Sequence, residues 1–467
     1  MRRRWNPLLF TDSYKMSHFR QYPVGAERVY SYFESRGSDP ALGFTETVFF
    51  GLQYLLDTLA GEFVTAADID DAERMCRRHF GNDHSFHRAG WQHILEAHGG
   101  RLPVRIRAVP EGTVVPVQNC LMTVENTDPK CFWLTNWLET QLVQVWYPMT
   151  VATQSREMKK TLLRYLRQSG DPATIAYRLH DFGCRGVSSH ETAALGGAAH
   201  LVNFRGTDTL PALELLAQTY GEECAGESIP ASEHSTITAW GEAHELDAMR
   251  NMLAQYPAGM IACVSDSFDI FRACEDYWGG ALRQQVLERQ GTLVIRPDSG
   301  DPATVLCRVL DILARKFPVS VNSQGYKVLD PHVRLIQGDG IDIQSLSRIL
   351  EAVISRGWSA DNLAFGSGGG LLQKLHRDTL KCAFKCASIV VHGQSRDVFK
   401  RPVTDQGKRS KSGRFKLIRE SLGETITFRT VPESAPGDDV LQTVFENGEL
   451  VSRTTLAEVR ARAAAGL

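Results

Sequence analysis

What most constrains the fold of this chain is a recurring pattern between roughly residues 174 and 384. Seven short apolar runs end in polar or glycine residues, and most of them lead into helical periodicity. They are Ile175–Leu179, ending in His180-Asp181-Phe182-Gly183; Ala199–Phe204, ending in Arg205-Gly206-Thr207-Asp208; and Ser228-Ile229-Pro230, ending near Glu233-His234. Then come Met260–Val264, ending in Ser265-Asp266-Ser267, and Leu293–Ile295, ending in Arg296-Pro297-Asp298. The last two are Val333–Ile336, ending in Gln337-Gly338-Asp339-Gly340, and Leu363–Phe365, ending in four glycines within five residues. Strand–helix alternation of this kind builds a largely parallel sheet covered by helices.

The helices are marked by their own chemistry. Asp301-Pro302 offers an N-cap with proline at the first helical position, and Asp342 offers a second cap. Val305, Val309, Ile312 and Leu313, then Leu346, Ile349, Leu350 and Val353, recur at helical spacing. The pattern predicts an α/β fold, an irregular β/α barrel whose active site lies at the C-terminal strand ends. An open doubly wound sheet is the alternative that periodicity leaves standing.

The two ends of the chain read differently. VYSYFESRG, Val104–Val109 and Gly112–Val117 near the start, and SIVVHG, ETITFRTV and LQTVFENGELV near the end, are strand-like. We expect a second α+β domain built from N- and C-terminal segments: 1–170 and 385–467 around a barrel at 171–384.

Net charge is −2, which excludes a whole-molecule nucleic-acid binder. No window approaches the roughly 18 apolar residues of a membrane-spanning helix. Leu8-Leu9-Phe10 is too short for a signal-peptide core. The ten cysteines are scattered, and the close pair Cys382 and Cys386 has no second pair or histidine at zinc-finger spacing. The expectation is a cytoplasmic protein with reduced thiols.

Each chemical motif has a bland counterpart. Glycines let backbone amides approach a phosphate, yet they also make tight turns. The run lacks the Gly-Lys-Ser/Thr of the nucleotide P-loop. Arg377, expected one turn or two into the helix that follows the run, would add charge, or is simply solvated. Asp298 and Asp339 stand beside glycines at strand ends, where carboxylates bind ribose hydroxyls or Mg²⁺, although a lone Asp there more often forms a turn. His234 is a candidate base or nucleophile with Glu233 as its orienter, or a structural histidine. Phe182 and Arg185 suggest a flat ring and a cation near a ligand, against core packing and a surface ion pair. Phe399–Arg414 carries six Lys/Arg against one Asp, which is either a solvated loop or a polyphosphate contact.

Together these pieces resemble the nicotinamide phosphoribosyltransferase family. The similarity runs from Thr11-Asp12-Ser13-Tyr14-Lys15 to beyond Lys408-Arg409-Ser410. It rests on TVENTDP, HDFG-x-RGVSS, NFRGTDT, EHSTITAWG, VSDS, IRPDSG, IQGDG and AFGSGGGLLQK, in that order. The resemblance implies a type II phosphoribosyltransferase fold and a homodimer with active sites at the interface. It implies a reaction of nicotinamide with 5-phosphoribosyl 1-pyrophosphate, with Mg²⁺ and with ATP coupled through a phosphohistidine.

Residue by residue, the resemblance puts the pyridine ring between Phe182 and the partner subunit's Tyr14, with Asp12 nearby. Asp208 would bind the carboxamide nitrogen, and Arg296 and Ser265 would line the same pocket. Asp298 and Asp339, with Gly338, would hold ribose hydroxyls and the metal–pyrophosphate region. Gly368, Gly369 and the partner subunit's Arg377 would take the 5′-phosphate, with Arg185 and Arg36 beside the phosphates. Lys385, Lys400 and Lys408 match residues for pyrophosphate or ATP, and His234 matches the phosphorylated histidine. The chain departs from better-known members at Cys184, where tyrosine is usual, and at His190, where glutamine is. Rival readings are a nicotinate phosphoribosyltransferase, which Asp208 argues against by charge, and a non-catalytic binding protein on the same scaffold. A sugar-phosphate aldolase or isomerase would need a Schiff-base lysine or a clear glutamate base at a strand end, and neither is present.

Overall fold

Six short parallel strands carry the central pattern. Their order in the sheet is Gly206–Thr207, Leu179–Asp181, Leu363–Ser367, Val333–Gln337, Leu293–Arg296 and Ile261–Val264. The two edges are linked through residues 227–231. Glu227 bridges to Gly206 on one edge and Ala231 bridges to Ala262 on the other, both in parallel sense. The seventh apolar run thus closes the ring as two isolated bridges, because Pro230 has no N–H to give a ladder. The result is an irregular barrel. In this computed structural model the described residues are 5–404, 409–422 and 425–467.

The capping signals act as read. Asp301 accepts the Thr304 amide at 3.0 Å and starts the helix Pro302–Lys316. Asp342 accepts the Gln344 and Ser345 amides and starts Ile343–Ser355. Each helix buries one stripe, Leu306, Val309, Leu310 and Leu313 in the first and Leu346, Ile349, Leu350 and Val353 in the second.

Two of the expected strands are different. Ala199–Phe204 is the end of the helix His190–Leu201 and the turn after it. Its run of Ala, Gly and Leu has little β-branching, and Ser189 caps the helix by accepting the Thr192 amide at 3.1 Å. In Ile175–Leu179 only Leu179 is strand, because Asp171-Pro172 nucleates a 3₁₀ turn through Tyr177.

The flanking segments form one antiparallel sheet of seven strands. The order is Gln394–Asp397, Cys382–Val391, Ala26–Ser35, Cys120–Asn126, Val104–Ala108, Gln442–Glu446 and Glu449–Leu450. Strands from both ends of the chain interleave, which makes the composite domain expected from composition. Its core includes Tyr32, Phe33, Trp91 and Trp137, all essentially buried. The compact units are 1–153 with 219–221 and 375–466, and 154–218 with 222–374. The expected boundaries at 171 and 385 differ from these for local reasons. The first division falls inside the continuous helix Trp146–Ser169, and residue 385 lies mid-strand in Cys382–Val391.

Candidate active site

The barrel rim is where the sequence's polar strand ends converge. Phe182 follows the strand Leu179–Asp181, and its amide donates to Ser367 O at 3.0 Å. The ring lies over Gly366, where a Cβ would come within 1.9 Å of Phe182 Cε2. Gly366 is therefore a packing requirement of the ring. The Arg296 guanidinium stands 5.5 Å from the ring centroid. It also donates twice to Asp298 Oδ1, at 3.1 Å from Nε and 2.7 Å from Nη2. A charged hydrogen bond contributes about 1.5–3 kcal/mol and an exposed cation–π contact about 0.5–1, so Asp298 sets the arginine's position. Gly338 leaves room for it, since a Cβ there would lie 3.0 Å from Arg296 Nε.

Asp208 is exposed at the neighbouring strand end and accepts the Ser228 hydroxyl at 2.5 Å. Its backbone amide donates to Asp181 O at 2.9 Å. Asp181 is buried, and burial pushes its carboxyl up to about 6. It accepts the Gly183 amide at 2.7 Å and so shapes the turn after Phe182.

His234 opens the short helix His234–Thr238 beyond the bridging residue Ala231. Its side chain is 47% exposed, which argues against a core histidine. The expected orienter, Glu233, is occupied elsewhere. Its carboxylate takes the Ser235 hydroxyl, and its amide donates to Thr236 Oγ1 at 3.3 Å. Asp266 is the partner, with Oδ1 2.9 Å from His234 Nε2. Its Oδ2 accepts the Asp298 amide at 2.9 Å and the Ser299 hydroxyl at 2.6 Å. Asp266 lies in VSDS, but nothing in its spacing reveals a bond to a residue 32 positions away. Ser265 is fully buried, donates to Cys263 O at 2.9 Å and accepts Trp278 Nε1 at 3.0 Å. It braces the rim from beneath.

The glycine run divides by neighbour. A Cβ at Gly370 would lie 2.5 Å from Ile341 O, whereas one at Gly369 meets no heavy atom within 4 Å. Packing explains Gly366 and Gly370 and leaves Gly369 to another cause. The helix that follows is only Gly369–Leu372, and Arg377 opens a separate 3₁₀ turn, paired with Asp378 at 3.1 Å. The expected position of Arg377 inside the first helix is therefore corrected. Arg185 is exposed and Cys184 half-buried in the turn Cys184–Gly186, while His190 is exposed at the start of its helix. Asp339 is exposed, and its carbonyl accepts Gln337 Nε2 at 3.0 Å.

Behind this rim lies a cavity of about 670 Å³. Phe182, Asp208 and Arg296 line it at the C-terminal strand ends, and Arg178, Thr292 and Arg334 at the opposite ends. Ala262, Val294 and Ile336 form a small apolar cluster against which Phe182 packs.

The other candidates belong to the antiparallel unit. Tyr14 is 58% exposed, and Asp12 accepts the Thr140 hydroxyl at 2.7 Å. Arg36 donates to Glu34 Oε1 at 3.0 Å. Lys385 is half-buried, and burial lowers the pKa of its ammonium. In the basic segment Lys400 is exposed, but Lys411 pairs with Glu34 and Arg414 pairs with Glu125 at 2.8 Å. Two of the six cations are thus structural. Lys408 lies outside the described residues.

An irregular parallel barrel with this rim, accompanied by an antiparallel unit from both chain ends, defines a type II phosphoribosyltransferase. The nicotinate phosphoribosyltransferase (NAPRTase) family matches residues 177–449, and the nicotinamide phosphoribosyltransferase N-terminal domain matches residues 6–106. A nicotinamide phosphoribosyltransferase of Xanthomonas campestris is 51% identical over 466 residues, 98% of each chain. One from Acinetobacter baylyi is 35% identical, covering 99% of this chain and 97% of its own. Among solved structures, human nicotinic acid phosphoribosyltransferase has a TM-score of 0.61 at 17% identity, covering 97% of this chain and 93% of that one. Nicotinate-nucleotide pyrophosphorylase from Pyrococcus furiosus scores 0.63 at 16% identity, covering 99% and 97%. These two share the fold. The chain belongs to the nicotinamide phosphoribosyltransferase family.

Proposed function

We propose that the chain transfers phosphoribose from 5-phosphoribosyl 1-pyrophosphate to nicotinamide, giving nicotinamide mononucleotide and pyrophosphate for NAD salvage. The observation that carries the choice of base is the Asp208 carboxylate on the rim that holds the Phe182 ring. A carboxylate accepts from a carboxamide N–H₂ and repels the carboxylate of nicotinate. Ser228 holds Asp208 by donating to it.

Nicotinamide is a weak neutral nucleophile, so positioning supplies much of the rate. Its ring stacks on Phe182, with the partner subunit's Tyr14 on the other face. The exposure of Tyr14 in the single chain supports that assignment. The ring nitrogen forms a bond to ribose C1 as the C1–O bond breaks, and the electron pair leaves on pyrophosphate. C1 is cation-like at that moment, as at other glycosidic centres. Backbone at Gly368 and Gly369, with Arg185 and the partner subunit's Arg377, binds the 5′-phosphate. Arg36, Lys385, Lys400 and Lys408 meet the leaving pyrophosphate or ATP phosphates.

Asp298 and Asp339 offer the hard oxygen donors that Mg²⁺ takes, shared with the substrate's own oxygens. When bound, the ion neutralises charge developing on the leaving group. Asp298 engages Arg296 through Oδ1. ATP phosphorylates His234, whose exposed ring and Asp266 partner suit a phosphoryl acceptor. The enzyme works as a cytoplasmic homodimer.

The test is to offer purified protein phosphoribosyl pyrophosphate and Mg²⁺ with nicotinamide or nicotinate, with and without ATP. Nicotinamide mononucleotide, formed faster with ATP, is the expected product. Product from neither base, in a folded dimer, would instead make the chain a binding protein.

A further inference from the structure

Away from the residues assigned to substrate, two imidazoles, a carboxylate and a thiol converge in the antiparallel unit. His93 and His98 come from the helix Arg88–His98, and Asp128 and Cys131 from the turn after the strand Cys120–Asn126. One ligand atom from each lies within 4.8 Å of all the others. His93 Nε2 stands 2.6 Å and His98 Nε2 2.8 Å from the same oxygen, Asp128 Oδ2. The two rings cross at 81° with centroids 5.6 Å apart, approaching one point from different directions.

Local structure explains only part of this. Asp128 caps its 3₁₀ turn through the other oxygen, Oδ1, which accepts the Lys130 amide at 2.8 Å. Capping needs neither histidine nor the thiol. Cys131 is fully buried, while His93, His98 and Asp128 keep 23%, 27% and 18% of their side chains exposed. The cluster therefore has a closed base and an open mouth. His98 also borders a surface pocket with Arg101, Thr127 and Asn447, which gives an ion a way in.

We propose that His93, His98, Asp128 and Cys131 form a four-coordinate site for a divalent transition-metal ion, Zn²⁺ by preference. Two imidazole nitrogens, one thiolate and one carboxylate are a borderline-to-soft donor set, which favours Zn²⁺ over Mg²⁺. A tetrahedron with bonds of ~2.1 Å has edges of roughly 3.4 Å, so the ion enters as Asp128 Oδ2 moves back from the two rings. The Cys131 thiol proton leaves to solvent as the S–metal bond forms. Four protein ligands leave no open position, so the ion is structural: it ties the end of one helix to the turn that follows a central strand.

The test uses the full-length protein, stripped with a chelator and confirmed folded by circular dichroism. It is titrated with Co²⁺ as a spectroscopic stand-in and then with Zn²⁺, without substrate or Mg²⁺. Expected are one Co²⁺ per chain, the intense visible bands of tetrahedral cobalt, a thiolate-to-cobalt charge-transfer band, and displacement by Zn²⁺ with an apparent Kd below about 1 μM. Cys131→Ser should abolish the charge-transfer band, and His98→Gln, at the exposed mouth, should weaken binding by more than about tenfold. Absence of stoichiometric uptake by the folded wild-type protein would overturn the proposal. So would an unchanged charge-transfer band in Cys131→Ser, because the thiolate would then be another cysteine. The wild-type titration decides the matter even where a variant fails to fold.

Discussion

Asp266 Oδ1 lies 2.9 Å from His234 Nε2, and the same carboxylate's Oδ2 accepts the Asp298 amide at 2.9 Å. One buried side chain thus fixes the proposed phosphoryl acceptor and the loop carrying a proposed ribose–metal carboxylate. The Asp266 side chain is 3% exposed, so losing it leaves His234 free to rotate and the Asp298 amide without its acceptor. Charged hydrogen bonds of this kind contribute about 1.5–3 kcal/mol each, or roughly ten- to hundredfold in rate.

Asp266→Ala should therefore lower kcat by about ten- to hundredfold and remove most of the stimulation by ATP. Asp266→Asn keeps an acceptor for the Asp298 amide and should recover part of the ATP-independent rate. Steady-state kinetics with and without ATP distinguish these outcomes from a purely structural role, in which both rates would fall together.

In the proposed reaction Asp208 governs the choice of base. Asp208→Asn removes the repelling charge, and the ratio of kcat/KM for nicotinamide over nicotinate should fall by at least about tenfold. Ser228→Ala loosens Asp208 without changing its charge, so nicotinamide KM should rise with little gain for nicotinate. An unchanged ratio in Asp208→Asn would remove Asp208 from the specificity argument.

The glycines provide a paired test. Gly366→Ala drives a methyl into Phe182 Cε2 and should raise nicotinamide KM at least about tenfold, with a stability cost of about 1–3 kcal/mol. Gly369→Ala meets no neighbour, so Tm should move by less than about 2 °C. Its added methyl should instead raise KM for phosphoribosyl pyrophosphate. If Gly369→Ala leaves that KM unchanged, the turn alone explains this glycine.

Acid sensitivity should come in part from His200. It is fully buried; Nε2–H donates to Leu179 O at 3.2 Å and Nδ1 accepts the Ser155 hydroxyl at 3.0 Å, the pattern of a neutral ring. Burial pushes its pKa down to about 3. The unfolded chain, with an ordinary histidine near 6.5, takes up the proton first. Stability is therefore fully present above about pH 6.5 and is lost as pH falls toward 3, at up to about 1.4 kcal/mol per pH unit. Denaturant unfolding of wild type and His200→Gln between pH 8 and pH 4 checks this. The variant should start less stable and show the flatter profile below about pH 6.5.

Much of the candidate site is legible in the sequence because barrels put their chemistry at strand ends. Phe182, Asp208, Arg296, Gly338 and Gly368 each follow or close a short apolar run, and the runs at 261, 293, 333 and 363 are strands. What escaped the sequence depends on contacts across the fold. Ala199–Phe204 looked like a strand because apolarity without length does not separate a strand from a buried helix. Adjacency points to Glu233 as the orienter of His234, but the helix start turns it toward Ser235 while Asp266 arrives from the next strand. Zinc-finger spacing bears only on close pairs such as Cys382 and Cys386 and is blind to Cys131, whose histidine neighbours lie more than thirty positions upstream on another element.

The most direct test of the central claim is a competition. Wild-type protein receives equimolar nicotinamide and nicotinate with limiting phosphoribosyl pyrophosphate, Mg²⁺ and ATP, and the products are separated by mass. The account predicts nicotinamide mononucleotide in large excess. Nicotinate mononucleotide as the main product would contradict the role given to Asp208, and with it the assignment of the substrate.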